Sequence, residues 1–124
     1  MDDMDKLLDF DRRLSGLVAK PAGWDDEFRQ LVSSGFTRRS WDPETPVRGV
    51  DEVVEEIEAG PGRPVRVSAE HGWLHSKLGV VTTTCTWDGI SDDDDVQVVR
   101  VYTRYTETWR CEYWQETRAH RPAV

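Results

Sequence analysis

Gly60-Pro61-Gly62-Arg63-Pro64 divides this chain in two. Glycine and proline at four of five positions can continue neither a helix nor a strand interior, and the apolar residues follow a different period on each side. Upstream, Met4, Leu7, Leu8, Leu14, Leu17 and Val18 recur at three- and four-residue spacing. That spacing predicts an amphipathic helix over Met4–Val18, with Asp2, Asp3 and Asp5 at its positive end. Pro21 and Gly23 end it, and Trp24, Phe28, Leu31 and Val32 repeat the stripe behind Asp25, Asp26 and Glu27, which predicts a second helix. Gly35 punctuates that helix, Phe36–Trp41 reads as a short strand, and Asp42-Pro43-Glu44-Thr45-Pro46 reads as a turn. Val50, Val53, Val54 and Ile57 then set one apolar stripe on a short third helix whose other face is Asp51, Glu52, Glu55, Glu56 and Glu58.

Downstream the pattern is β. Runs rich in Val, Thr, Tyr and Trp cover Val65–His75, Leu78–Trp87, Val96–Tyr105 and Trp109–Thr117, with short turns between them, and predict an antiparallel meander. Helices followed by a long-stranded sheet make an α+β domain, the helices on one face of the sheet. At 124 residues the chain is one domain, 1–124, with a flexible tail expected over 118–124 that carries His120.

Charge narrows the partners. Twenty-four acids against 16 bases give −8, which disfavours nucleic acid and anionic membranes, since both are bound by Lys and Arg neutralising phosphates. Residues 1–62 carry −7 of that charge and residues 63–124 carry −1, so the acidity belongs to the helical half. No apolar run reaches the ~18 residues that span a bilayer, and the acidic start Met1-Asp2-Asp3-Met4-Asp5 is unlike a signal peptide; a cytoplasmic location is expected. Cys85 and Cys111 lack paired Cys-x-x-Cys spacing and read as packed, reduced thiols.

Three other features carry little chemistry. His71 and His75, four residues apart on a strand, are ~13 Å apart, too far to share one metal ion. Ser91-Asp92-Asp93-Asp94-Asp95 lacks the ligand order of a calcium loop and reads as a solvated hairpin loop. Gly60-Pro61-Gly62 is a turn without a phosphate-binding fingerprint. No metal and no cofactor are expected.

The C-terminal hairpin carries a resemblance. Val99-Arg100-Val101-Tyr102-Thr103-Arg104 followed by Trp109-Arg110-Cys111-Glu112-Tyr113-Trp114-Gln115-Glu116-Thr117 resembles the closing hairpin of small bacterial domains of the nuclear-transport-factor-2-like superfamily, the fold of ketosteroid isomerases and polyketide cyclases. Trp114 stands where His is common in them. Asp25–Ser40 is similar to the helix-plus-strand segment that leads into the pocket, and Arg48-Gly49-Val50-Asp51 to the start of the short helix. The resemblance implies a cone-shaped fold, with three N-terminal helices packed on a curved, mainly antiparallel sheet, a pocket on the concave face and a homodimer through the convex face.

Hairpin register then decides which residues line the pocket. A three-residue loop, Tyr105–Glu107, sets Arg100 opposite Glu112 and Tyr102 opposite Arg110; the opposed charges favour it. A two-residue turn sets Arg100 opposite Tyr113 and Glu112 opposite Val101. In the first register Arg100, Tyr102, Glu112 and Trp114 share the concave face, while Val99, Val101, Cys111 and Tyr113 form an outward apolar stripe that suits an isologous dimer. Arg100 would anchor an anionic or carbonyl group of a small-molecule ligand, with Tyr102, Trp114 and Trp41 as aromatic walls. Against this stands a filled core in which Arg100 and Glu112 merely neutralise each other.

Small-molecule binding is the leading expectation. Catalysis by an isomerase, dehydratase or cyclase would need Tyr102 as donor and Glu112 or Glu116 as base, yet Arg100 beside Glu112 weakens that base. A compact acidic domain also suits a protein-binding or immunity module facing a basic partner.

Overall fold

A computed structural model gives the structure over residues 2–120. Helix α1 spans Asp3–Gly16 and passes into a 3-10 turn, Leu17–Ala19; α2 spans Trp24–Leu31 and α3 Val50–Ala59. The strands are β1 (Val32–Arg39), β2 (Arg66–His75), β3 (Leu78–Thr86), β4 (Asp94–Tyr105) and β5 (Thr108–His120). They form one sheet in the order β1-β5-β4-β3-β2, antiparallel except for β1 against β5. The expected α+β architecture, helices on one face of a curved meander, is the one observed.

The apolar stripe of α1 explains how it docks. Asp2 caps the helix by accepting from the Asp5 amide at 2.7 Å, and Leu7, Leu14, Leu17 and Val18 are buried beneath it. Close approach to the sheet needs glycine in the strands. A Cβ at Gly79 would come within 2.8 Å of Leu7 Cδ2, and one at Gly72 within 2.6 Å of Met4 Sδ. Helix α2 starts at Gly23, which takes a left-handed φ of 76°, and buries Trp24, Phe28 and Leu31.

Helix α2 is shorter than its stripe suggests. The chain turns from helix to strand between Leu31 and Val32, without a loop, because Val32 is captured as the parallel partner of Cys111 on β5. β-Branched Val32 and the serines that follow it favour that exchange. Strand β5 is longer than expected. Residues 118–120 continue it instead of forming a tail, with Arg118 Nε donating to Asp94 at 2.6 Å and His120 Nδ1 2.8 Å from the same carboxylate. Residues 121–124 of the expected tail lie outside the described residues.

The β4–β5 hairpin begins in the second of the two expected registers and leaves it at a bulge. Tyr105 pairs with Thr108 across a two-residue turn whose first residue, Thr106, has a left-handed φ of 55°. The register then shifts between Val101 and Tyr102: Tyr102 opposes Cys111, while Val101 opposes Tyr113 and Arg100 opposes Trp114. Glu112 is the extra residue of a β-bulge. The two-residue turn reverses the expected facing of Cys111, which is fully buried on the concave side, and takes Glu112 away from Arg100; the bulge then sets Trp114 opposite Arg100. Val99, Val101 and Tyr113 do face outward, half-buried, alongside the exposed Trp73, Leu78 and Tyr105.

Candidate functional site

Between α3, the Gly60–Pro64 segment and the sheet lies a cavity of about 490 Å³, lined by Val18, Ile57, Pro61, Pro64 and Trp87 and by four charged residues, Arg38, Glu56, Arg63 and Asp88. Its walls are the product of local sequence. The Gly60–Pro64 breaker cannot fold into either neighbouring element, so it bridges them, and it is fastened to the 3-10 turn. The Arg63 amide donates to the Val18 carbonyl at 2.8 Å, and Lys20 Nζ donates to the carbonyls of Glu58 and Gly60 at 2.9 and 3.0 Å. A Cβ at Gly62 would sit 2.6 Å from the Ala19 carbonyl oxygen, so only glycine fits there.

The charges are set by backbone pairing. Arg38 on β1 and Arg48 exchange both amide–carbonyl hydrogen bonds, at 2.8 and 3.0 Å, which places the two arginines together. Glu56 on α3 accepts from both guanidiniums. Arg63 lies over the Trp87 ring, 3.9 Å from its centroid, and approaches Glu116 only to 3.6 Å, too far for a hydrogen bond. Burial lowers the Arg63 pKa from its ordinary value more than Glu116 raises it, and the like charge of Arg38 adds to the lowering. Arg38 is 4% exposed, and its Nε and that of Arg63 are both buried without a hydrogen-bond partner. An arginine nitrogen left so carries an unmet donor in a low-dielectric setting.

Beneath the cavity is a void of about 10 Å³, which shares Val18, Arg63 and Trp87 with it and is also lined by Arg100, Trp114, Glu116 and Cys85. Arg63 stacked on Trp87 is therefore part of the wall shared by the two spaces. Arg100 is bound by a residue that the sequence reading missed. Its Nε donates to Asp11 Oδ1 at 2.7 Å and its Nη2 to Oδ2 at 3.3 Å, while Tyr102 donates its hydroxyl to Oδ1 at 2.5 Å. Asp11 is 1% exposed and lies on the buried face of α1 between Leu7 and Leu14. The signal was present: position 11 continues the apolar stripe of that helix, and a carboxylate there has to find a buried cation.

Burial alone would lower the Arg100 pKa, and Asp11 more than reverses this; burial and then Asp11 push the Tyr102 phenol well up, so it stays a donor. Trp114 lies under the Arg100 guanidinium at 4.5 Å, with its Nε1 unpaired. Arg100, Tyr102 and Trp114 thus come together, as the sequence suggested. Glu112 and Trp41 do not join them. Glu112 accepts from Ser33 at 2.5 Å, Thr103 at 2.6 Å and Tyr105 at 3.2 Å, and Trp41 packs under Arg118 at 5.1 Å. Tyr102 and Glu112 therefore address different groups. Arg38, Arg63 and Trp87 were also missed as cavity residues, because their convergence depends on the β1–Arg48 bridge and on the path of the breaker.

No family model matches the sequence, and no curated protein matches it. Solved structures do. The NTF2-like protein of Cytophaga hutchinsonii superposes with a TM-score of 0.77 at 15% identity, over 96% of this chain and 100% of its own. The CaMKII hub of S. rosetta gives 0.79 at 14% identity, over 96% and 98%. A candidate ketosteroid isomerase from Parabacteroides distasonis gives 0.70 at 11% identity, over 95% and 89%. Likeness at such identities speaks to architecture alone, and by its architecture this chain has the cone-shaped nuclear-transport-factor-2-like fold.

Proposed function

We propose that this protein binds a small molecule in the cavity between α3, the Gly60–Pro64 segment and the sheet. One observation carries the reading: a concave space of about 490 Å³ with mainly apolar walls and a few convergent charged groups, the usual anatomy of a ligand site. Arg100 and Trp114 belong to the floor below it, where they line the small void, and they touch a ligand only if Arg63 moves aside. Tyr102 acts by holding Asp11 against Arg100.

The protein acts as a cytoplasmic homodimer in this reading. Trp73, Val99, Val101, Tyr105 and Tyr113 on the convex face supply the apolar surface for a second copy, and two unpaired, buried thiols suit a reducing compartment. No described helix is long and apolar enough to cross a membrane.

A fragment collection followed by amide and indole NMR tests the binding reading. Ligands should shift the Trp87 indole signal, and Ile57→Trp, which fills the cavity, should abolish that response. Ligands that act only on convex-face signals, or that persist unchanged in Ile57→Trp, would overturn it.

A further inference from the structure

We infer that the cavity selects an oxyanion, a carboxylate or phosphoryl group on a small apolar body, held between Arg38 and Arg63. This rests on the cavity being a ligand site and adds the chemistry of what enters it. Both arginines line the space, and each has a buried Nε with no hydrogen-bond partner. Arg38 is buried to more than nine-tenths, while Arg63 keeps about a third of its side chain open. The local acids are already committed. Glu56 is shared between Arg38 and Arg48, Asp88 lies 3.3 Å from Arg66, and Glu116 stays 3.6 Å from Arg63. Of the charged groups that line the space, Arg38 and Arg63 stand against Glu56 and Asp88, and each of those acids is also drawn to an arginine outside it, Arg48 and Arg66. An incoming oxyanion would meet the open side of the Arg63 guanidinium, whose nearest carboxylate is beyond hydrogen-bond distance, and charge-assisted hydrogen bonds are the strong ones. Val18, Ile57, Pro61 and Pro64 offer only apolar contact, which fits a greasy body behind the charged head.

Glu56 is then the built-in competitor, a carboxylate that already occupies one side of Arg38. Removing its charge should strengthen anion binding, whereas a purely structural Glu56 would give weaker binding or none.

The test compares probes matched in shape and differing in charge: 2-naphthoate against 2-naphthamide, and phenyl phosphate against phenol. Binding is read by thermal shift and by the Trp87 indole signal. At least one anion should bind ten-fold or more tightly than its neutral partner, and which anion prevails tells a carboxylate from a phosphoryl preference. Arg63→Gln should remove the discrimination, Arg63→Lys should restore part of it, and Glu56→Gln should tighten anion binding several-fold, each variant compared with its own unliganded melting point. Equal affinity for neutral and anionic probes overturns the inference, as does unchanged anion binding in Arg63→Gln, or weaker anion binding in a folded Glu56→Gln. Should neutral probes alone fill the cavity, the oxyanion falls and the small-molecule reading stands. Should neither these probes nor any fragment reach Trp87, both fall.

Discussion

Arg100 and Asp11, 89 residues apart, form a buried two-point ion pair across the helix–sheet interface, with Nε to Oδ1 at 2.7 Å and Nη2 to Oδ2 at 3.3 Å. The pair ties α1 to the centre of the sheet, and Tyr102 completes it from the same strand. Burying both charges is costly. What makes the arrangement hold is that Asp11 accepts three hydrogen bonds while Trp114 lies under the guanidinium.

Breaking one half should therefore hurt more than replacing both. Asp11→Ala leaves Arg100 desolvated and alone and should cost about 3–5 kcal/mol. Asp11→Leu combined with Arg100→Met should recover most of that. Urea unfolding of the single and double variants measures the coupling; a double variant as unstable as Asp11→Ala would contradict the account.

Glu112 gives a pH dependence. Desolvation raises its pKa, but hydrogen bonds from Ser33, Thr103 and Tyr105 together outweigh that and hold it below the ordinary carboxylate value. A carboxyl whose pKa is lower folded than unfolded adds stability above its unfolded pKa, and loses it as pH falls through the folded one. The stability difference between wild type and Glu112→Gln should thus shrink between neutral pH and pH values below the carboxylate range. Chemical denaturation at several pH values would reveal a constant difference if this is wrong.

The thiols should be silent in the folded protein. Burial pushes Cys111 up to about 12 against the lowering by Arg100, and burial also raises Cys85. Since the thiolate is the nucleophile, a disulfide reagent at mildly alkaline pH should label neither until the chain unfolds, and both in urea. Fast labelling of either under native conditions would show that its element opens locally.

Gly79→Ala should destabilise by about 1–3 kcal/mol. The new methyl would meet Leu7 at 2.8 Å and Trp109 at 3.3 Å, and Leu7 is fully buried, with little room to yield. Differential scanning calorimetry measures the loss. An unchanged melting temperature would mean that α1 is free to lift from β3.

Element type was legible wherever a period ran long. The stripe of α1, the stripe of α3 and the four β runs each carry one period over many residues, and all are observed. The misses lie where a single residue changes the count. The two-residue turn at Thr106-Glu107 turns Cys111 inward and removes Glu112 from Arg100, and a bulge at Glu112 then sets Trp114 opposite Arg100; no local pattern in the hairpin marks an unpaired residue. Asp11 hides differently: it keeps the helix period while breaking its polarity, so a search for hydrophobes passes over it. The cavity arginines were illegible for a third reason. Arg38, Arg48 and Arg63 meet through a backbone bridge and a clamped segment, contacts that leave no periodic trace.

The glycine at position 62 has one more implication. With the Ala19 carbonyl 2.6 Å from where its Cβ would stand, the rim of the cavity is closed to variation at that point. Substitutions that reshape the cavity at this edge would have to act through the side chains on either side, Pro61 and Arg63, leaving the rim itself a fixed frame.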